Sequence, residues 1–325
     1  MYFLLIFIIS LILILSFNFL IKKIKILDKP DNFRKIHKKP VPLLGGVFVF
    51  IITIITVLFD IFFNEYRFLG NREVLAFLVG ALFFFILGLY DDIFFLKATV
   101  KLLLSLFFII IVIHIDSNLI ISSLSFSFLD NNIFLYNFSK LFSILCFLIF
   151  INALNMFDGL NGQCTLYSLI IALIFAIFSN FNIYLISLAI ILGCFLFINI
   201  QGKSFLGDSG SYLLGFVLSF FIIKTYNTDL NLNADLIFLL MYLPGFDLIR
   251  LFAIRLINNK SPFSADKNHI HHIYLKKLSE TQTLFIIQFI SFIPFFLTFF
   301  IKNFLIIILF AILLYSFSIY YIKKK

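Results

Sequence analysis

Eleven apolar stretches joined by short polar connectors make up most of this sequence: 1–21, 44–63, 73–90, 98–115, 140–156, 163–178, 182–199, 209–224, 235–257, 281–301 and 303–322. A helix needs about 20 predominantly apolar residues to cross the hydrocarbon core of a bilayer. Each stretch meets or approaches that length. Inside a bilayer a segment must satisfy its own backbone hydrogen bonds, and a helix does so. Composition points the same way. Of 325 residues, 62% are hydrophobic and 13% charged, whereas soluble domains carry roughly half and a quarter. The sequence predicts an all-α polytopic membrane protein of about eleven transmembrane helices, one integral membrane domain over 1–325 with no inserted soluble domain. Cys146, Cys164 and Cys194 each stand alone in an apolar run, a spacing that fits neither a disulfide framework nor a zinc site.

Charge sets the expected orientation. No basic residue precedes the first stretch, while Lys22, Lys23 and Lys25 follow it. That pattern marks a retained first span with its N-terminus outside, not a cleaved signal. Odd-numbered connectors then lie inside. Twenty of the 25 Lys and Arg fall on that side, and five fall outside: Arg67, Arg72, Lys140, Lys224 and Lys302. Acidic residues divide nine inside and seven outside, so the inner face is basic and the outer face slightly acidic. This positive-inside pattern places Lys323–Lys325 in the cytoplasm. A basic inner face suits anionic membrane lipid and also an anionic substrate; no nucleic acid is expected. The longest outer connector, Asp116–Ser139, alternates around Asp130-Asn131-Asn132 and reads as a small structural hairpin.

The inner connectors, about 22–43, 91–97, 157–162, 200–208 and 258–280, hold the chemistry. They and their flanks read DKPDNFRKIHKKPVPLLGG (Asp28–Gly46), GLYDDIFFLKATVK (Gly88–Lys101), NALNMFDGLNGQ (Asn152–Gln163), QGKSFLGDSGS (Gln201–Ser211) and SADKNHIHHIYLKK (Ser264–Lys277). Each has an ordinary reading. Asp208 stands where an acid caps a helix start. Asp158-Gly159 and Asn161-Gly162 are turn dipeptides. Asp91-Asp92 suits a solvated span end, and the basic run Lys22–Lys39 is an orientation signal. Together, five polar-rich connectors on one face predict a single site built from five loops.

Asp91, Asp92, Asp158 and Asp208 come from three connectors. Clustered carboxylates without a cation repel one another. Facing a basic surface, they imply a divalent metal, and Mg²⁺ prefers one or two carboxylates plus substrate phosphates. Neighbouring helical residues point about 100° apart, so Asp91 and Asp92 are expected to do different jobs. Lys97 and Lys101, one turn apart, suit a diphosphate as point charges. In the histidine segment, Asp266 is expected to cap a short amphipathic helix starting near Lys267 and lying in the interface. His269 and His272 share a face on it; its first turn suits phosphate. Deeper in the ninth span, Asp247 and Arg250 are spaced to pair, with Pro244-Gly245 expected to break the helix just before them.

These five motifs, in this order from Asp28 to Leu275, resemble those of the polyprenyl-phosphate N-acetylhexosamine-1-phosphate transferases. These enzymes have ten or eleven helices. They move a sugar-1-phosphate from a UDP-sugar to a lipid phosphate and release UMP. The resemblance implies a cytoplasmic-face site in the cytoplasmic membrane, using Mg²⁺ or Mn²⁺, a UDP-N-acetylhexosamine and undecaprenyl or another polyprenyl phosphate, and it leaves room for a homodimer. It assigns Asp208 to the metal, with Asp158 beside it. It assigns Asp91 to the lipid phosphate as base or positioner, and Asp92 to orienting Asp91 or assisting the metal. Asn155 and Asp158 go to the nucleotide or metal, and Lys101 to the nucleotide or diphosphate. His269, His271 and His272 go to the diphosphate and sugar. Arg34, His37 and Lys38 guide the lipid phosphate, Arg255 contacts substrate, and Asp247, Arg250 and Asp266 support the site. The form Asp-x-x-His-x-His-His is similar to that of enzymes using UDP-N-acetylglucosamine; users of the muramoyl-pentapeptide nucleotide carry three consecutive histidines. Asn161, where many members have Asp, Gln163 and Ser105 depart from the pattern.

Two rivals come from other classes. A secondary transporter should place broken helices and ionisable groups at the bilayer midplane, a picture that only Asp247 and Arg250 suit. A non-catalytic scaffold should tolerate Asn together at Asp91, Asp92 and Asp208. The charge reading also makes its own prediction. Single-cysteine probes in a cysteine-free background should react with an impermeant reagent from outside at Asn131, and only after permeabilisation at Lys325. The reverse pattern would overturn the assigned orientation.

Overall fold

A computed structural model describes residues 2–24, 26–30, 39–63, 68–229, 232–261 and 268–324, with backbone only at 22–24. Its helices in chain order are α1 (Tyr2–Leu15), α2 (Phe17–Ile24), α3 (Gly45–Phe63), α4 (Asn71–Phe94), α5 (Ala98–Ile115), α6 (Ser139–Phe157), α7 (Gln163–Phe178), α8 (Ile183–Ile200), α9 (Gly207–Thr228), α10 (Ala234–Ile257), α11 (Ile270–Leu275), α12 (Glu280–Leu297) and α13 (Phe304–Lys324). Among the described residues nine helices are long and apolar enough to cross a membrane, and α1 and α7 are shorter apolar helices. The protein is thus an all-α, multi-pass membrane protein. The expected first span divides at Ser16, whose hydroxyl donates back to the Leu13 carbonyl at 3.0 Å.

Helix α9 is the hub, packed against α3, α4, α6 and α7. It is the least apolar of the nine spans and the most deeply buried. Those two facts belong together, because a helix surrounded by helices need not resemble lipid. Its tightest neighbour is α4. A side chain at Gly88 would run into the backbone of Asp208 and Ser209, so only glycine lets the two helices meet there.

Backbone pairing ties the first connector to the fourth. Strand β1 (Leu27–Asp28) pairs antiparallel with β2 (Val41–Pro42). Phe205 N then donates to Pro42 O at 2.9 Å, and Gly45 N and Gly46 N donate to Phe205 O and Leu206 O at 3.2 and 3.0 Å. At the other end, β3 (Ser123–Leu124) pairs with β4 (Ile133–Phe134), the hairpin expected around Asp130. It is held by Asp235, which accepts from Ser127 N at 3.0 Å, and by Tyr226, whose hydroxyl accepts from Ser125 N at 2.9 Å.

The expected break at Pro244-Gly245 does not occur; α10 runs through both residues. Proline lacks an N–H, so the carbonyl four residues earlier loses its helical partner. Here that carbonyl, Leu240 O, accepts from the buried Tyr167 hydroxyl at 2.9 Å. The same device recurs in α12. Pro294 frees Ile290 O, which accepts from the buried Tyr242 hydroxyl at 2.6 Å. A freed polar group among apolar helices needs such a substitute.

Tyr167→Phe and Tyr242→Phe should therefore each lower unfolding free energy in mixed micelles by about 1 kcal/mol. Pro244→Ala returns an N–H donor to Leu240 O, so Tyr167→Phe should cost little in that background. Equal costs in both backgrounds would refute the pairing.

Candidate active site

All five inner connectors meet around one cavity of about 420 Å³ at one end of the bundle. Two adjacent carboxylates of α4 begin it. Asp91 is buried; its Oδ1 accepts from Leu96 N at 2.7 Å and its Oδ2 pairs with Lys101 Nζ at 2.5 Å. The first bond closes a tight reversal in which Phe95 takes a left-handed φ of 61°. The second draws α5 against α4. Lys101 also lies 5.8 Å from the centre of the buried Tyr212 ring.

Asp92 turns the other way, to the start of α9. Its Oδ1 accepts from Asp208 N at 2.8 Å and its Oδ2 from Ser209 N at 3.0 Å. The first N–H groups of a helix have no intrahelical acceptor, and the helix dipole favours an anion there. The cap that the sequence assigned to Asp208 is therefore supplied by Asp92. Asp208 uses its own carboxylate differently: Oδ1 accepts from Asn155 Nδ2 at 2.8 Å, and the same amide reaches Ser211 Oγ at 2.8 Å. Among the described residues no Lys, Arg or His stands at ion-pair distance from Asp208.

Asp158 ends α6 and faces the cavity. Enclosure by the protein, and then the charge of Asp92, push its carboxyl up to about 7. Beside it, Gly159 leaves the space that the His271 ring fills; a side chain there would overlap that ring. His271 is buried and held neutral, its basicity driven well down by burial and then by His272 and His269. The three imidazoles form one cluster, with centroids 4.4 Å apart for His271 and His272 and 5.4 Å for His269 and His271.

A profile described as glycosyl transferase family 4 matches residues 74–226. A probable undecaprenyl-phosphate N-acetylglucosaminyl 1-phosphate transferase of Bacillus subtilis is 33% identical over 303 residues, 88% of this chain and 81% of that protein. An undecaprenyl-phosphate alpha-N-acetylglucosaminyl 1-phosphate transferase of Thermotoga maritima is 31% identical, covering 82% and 78%. The Escherichia coli K12 protein of that name is 27% identical, covering 78% and 70%. The chain belongs to glycosyl transferase family 4.

In this family member, Asp91, Asp92, Lys101, Asn155, Asp158, Asp208, His269, His271 and His272 all line the cavity, as the sequence reading requires. Arg255 is not among the lining residues; it is buried in the last turn of α10. Lys97 is also absent from the lining, being the residue before α5. Arg34, His37, Lys38 and Asp266 lie outside the described residues. The histidine helix begins at Ile270, not near Lys267, and its apolar stripe is turned inward. Ile270, Ile273 and Tyr274 are buried and α11 packs on α12 and α13, because its apolar stripe finds helices to cover it.

Two polar lining residues that join connectors lie beyond the sequence expectations. Glu280, in the first turn of α12, accepts from Asn161 Nδ2 at 3.3 Å. Asn199 joins two connectors: its Oδ1 accepts from Gly162 N at 3.0 Å and Thr165 Oγ1 at 2.8 Å, and its Nδ2 donates to Ser204 O at 2.9 Å. An Asn near the end of an apolar run was the available signal.

Among the described residues no three His, Cys, Asp or Glu converge into a ready-made metal cage. Mg²⁺ does not need one, since it keeps waters and takes substrate phosphates. The donor chemistry fits it: Asp208 and Asp158 carboxylates with no cation at ion-pair distance among the described residues, all oxygen, facing one cavity.

A carboxyl raised above its unfolded value of about 4 binds more protons folded than unfolded. Its contribution to stability is full below that value and is lost as pH rises through about 7. Without divalent cations, melting temperature in detergent should fall from about pH 5 to about pH 8, and Asp158→Asn should remove that part of the fall. Mg²⁺ added at the alkaline end should restore the wild type and do less for Asp158→Asn. A slope identical in both proteins would refute the assignment.

Proposed function

We infer that this protein transfers N-acetylglucosamine-1-phosphate from UDP-N-acetylglucosamine to undecaprenyl phosphate, releasing UMP and starting a lipid-linked envelope glycan. The observation that carries this reading is the meeting of Asp91–Lys101, Asp92 on the α9 terminus, Asp158, Asp208 and three imidazoles around one cavity. The named relatives support the reaction, and His269-Ile270-His271-His272 supports this donor over the muramoyl-pentapeptide nucleotide. The positive-inside charge pattern supports a cytoplasmic mouth, where UDP-sugars are available.

An oxygen of the lipid phosphate forms a bond to the β-phosphorus of the donor. The bond from that phosphorus to the bridging oxygen breaks, and UMP leaves with the electron pair. The product is a lipid diphosphate carrying the sugar. Mg²⁺, or Mn²⁺ in its place, would supply charge neutralisation on the diphosphate, held by Asp208 and Asp158 with Asn155 fixing the Asp208 carboxylate. Lys101 takes phosphate oxygens as a point charge. His269 and His272 donate to the diphosphate and sugar, and neutral His271 packs Gly159 in place.

Both Asp91 oxygens are engaged, by Leu96 N and Lys101. That favours a positioning role over a nucleophilic one, and direct attack over a covalent aspartyl intermediate. A base is not needed, because a phosphate monoester with a second pKa of about 6 is mostly dianionic at neutral pH.

The deciding experiment measures UMP release by purified protein with UDP-N-acetylglucosamine, undecaprenyl phosphate and Mg²⁺. Wild type should turn over, and Asp208→Asn should lose at least about 10²-fold. Equal rates would remove Asp208 from the metal; flux of substrate across vesicles without UMP release would revive the transporter.

A further inference from the structure

The histidine segment does not stay at the end of α10. Its Asn268–Ile270 backbone returns to contact Asp247 and Arg250, residues ten and seven positions short of the Ile257 helix end. Ten helical residues span about 15 Å. Backbone groups set against an apolar helix need partners. The Asp247–Arg250 pair supplies them: Arg250 Nη2 donates to Asn268 O at 2.6 Å, and Asp247 Oδ2 accepts from Ile270 N at 3.3 Å. The two bonds bracket His269, whose Nδ1 lies 3.4 Å from that same Oδ2, at ion-pair distance but not aligned as a hydrogen bond.

The pair is itself held from α13. The Tyr315 hydroxyl accepts from Arg250 Nε at 2.7 Å and donates to Asp247 Oδ1 at 2.8 Å. Arg250 Nη2 also occupies Oδ1, at 2.6 Å. Oδ1 is thus filled by α10 and α13, leaving Oδ2 for the histidine segment. We propose that Tyr315 is a positioning residue for His269: its hydroxyl locks the Asp247–Arg250 pair in the one orientation that fixes the backbone on both sides of the imidazole and turns Nδ1 toward Asp247, leaving Nε2 for a ligand in the cavity. A carboxylate orienting one imidazole nitrogen sets the direction of the other. The inference rests on the proposed function for the ligand's identity, the diphosphate of the donor. The clamp rests on the geometry alone.

Tyr315→Phe removes the hydroxyl and keeps the ring that stacks on Phe246 at 6.0 Å. It strands Arg250 Nε in addition to Nη1, already without a partner among the described residues. Hydrogen–deuterium exchange in the Ile270–Leu275 amides, read without substrate, should quicken about tenfold in Tyr315→Phe. The KM for UDP-N-acetylglucosamine should rise about fivefold, with the KM for undecaprenyl phosphate and the Mg²⁺ requirement unmoved. Phe246→Leu is the packing control; it weakens the stack, leaves every bond of the clamp and should move neither readout. Unchanged exchange in Tyr315→Phe, or an equal change in Phe246→Leu, would overturn the proposal. So would quickened exchange with an equal rise in both KM values, since that describes general loosening. Exchange decides the clamp even if wild type released no UMP, a result that would sink the activity and not the clamp.

Discussion

The site depends first on one carboxylate lying across one helix end. Asp92 accepts from the Asp208 and Ser209 N–H groups in the first turn of α9, in a low-dielectric setting where such bonds gain strength. It reaches them because Gly88, one turn earlier on α4, removes the side chain that would hold the helices apart. Once α9 is seated, Asp208 has little freedom, since its own N–H is one of the two bonded groups. Asn155 then brings α6 to the same carboxylate. The bonds from the Val41–Gly46 segment to Phe205 and Leu206 bring the first connector to the loop just before α9. The position of the metal candidate thus follows from a helix cap, a glycine and a short run of backbone pairing.

Between helices in a bilayer there is no water to drive association, so close packing and internal hydrogen bonds do the holding. This chain uses aromatic rings for the first, such as Phe50 on Phe85 at 4.2 Å. For the second it places a few polar side chains where another element has a group to satisfy. Tyr167 and Tyr242 serve carbonyls that proline has freed. Asp60, fully buried, accepts from Leu69 N at 3.3 Å and the Tyr184 hydroxyl at 3.0 Å. Asp247 and Arg250 serve the returning histidine segment. A transporter also carries charges within its spans, but here the deep pair is consumed by a loop's backbone, which accounts for it without a transported ion.

Much of this was legible because membrane topology is a one-dimensional signal. Apolar length marked the helices, and polar density marked the connectors that meet at the cavity. The adjacency of Asp91 and Asp92 already required them to diverge, since helical neighbours face apart. What was not legible depends on a partner distant in sequence. Nothing near Pro244 discloses that Tyr167, on another helix, will replace its missing bond. Nothing near Asp208 discloses that the cap comes from Asp92. The histidine helix looked interfacial because its apolar stripe was read against water and lipid; α12 and α13 claim that stripe instead.

The charges of the cavity bear on how its ligands arrive. Asp91 is neutralised by Lys101, and Asp92 is offset by the partial positive charge of the α9 terminus. Asp158 and Asp208 have no cation at ion-pair distance among the described residues, and burial makes both reluctant to ionise. Both ionised together would repel at close range in a poorly screened site. One divalent cation matches their combined charge. Held by these two carboxylates, such a cation would also take phosphate oxygens. Lys101, though paired with Asp91, has further N–H groups to offer a diphosphate's remaining oxygens, as have His269 and His272. On the proposed reading, cation and donor nucleotide therefore strengthen each other's binding, and by linkage each does so to the same degree. On the same reading, the lipid phosphate, a further anion, would also be favoured by that cation.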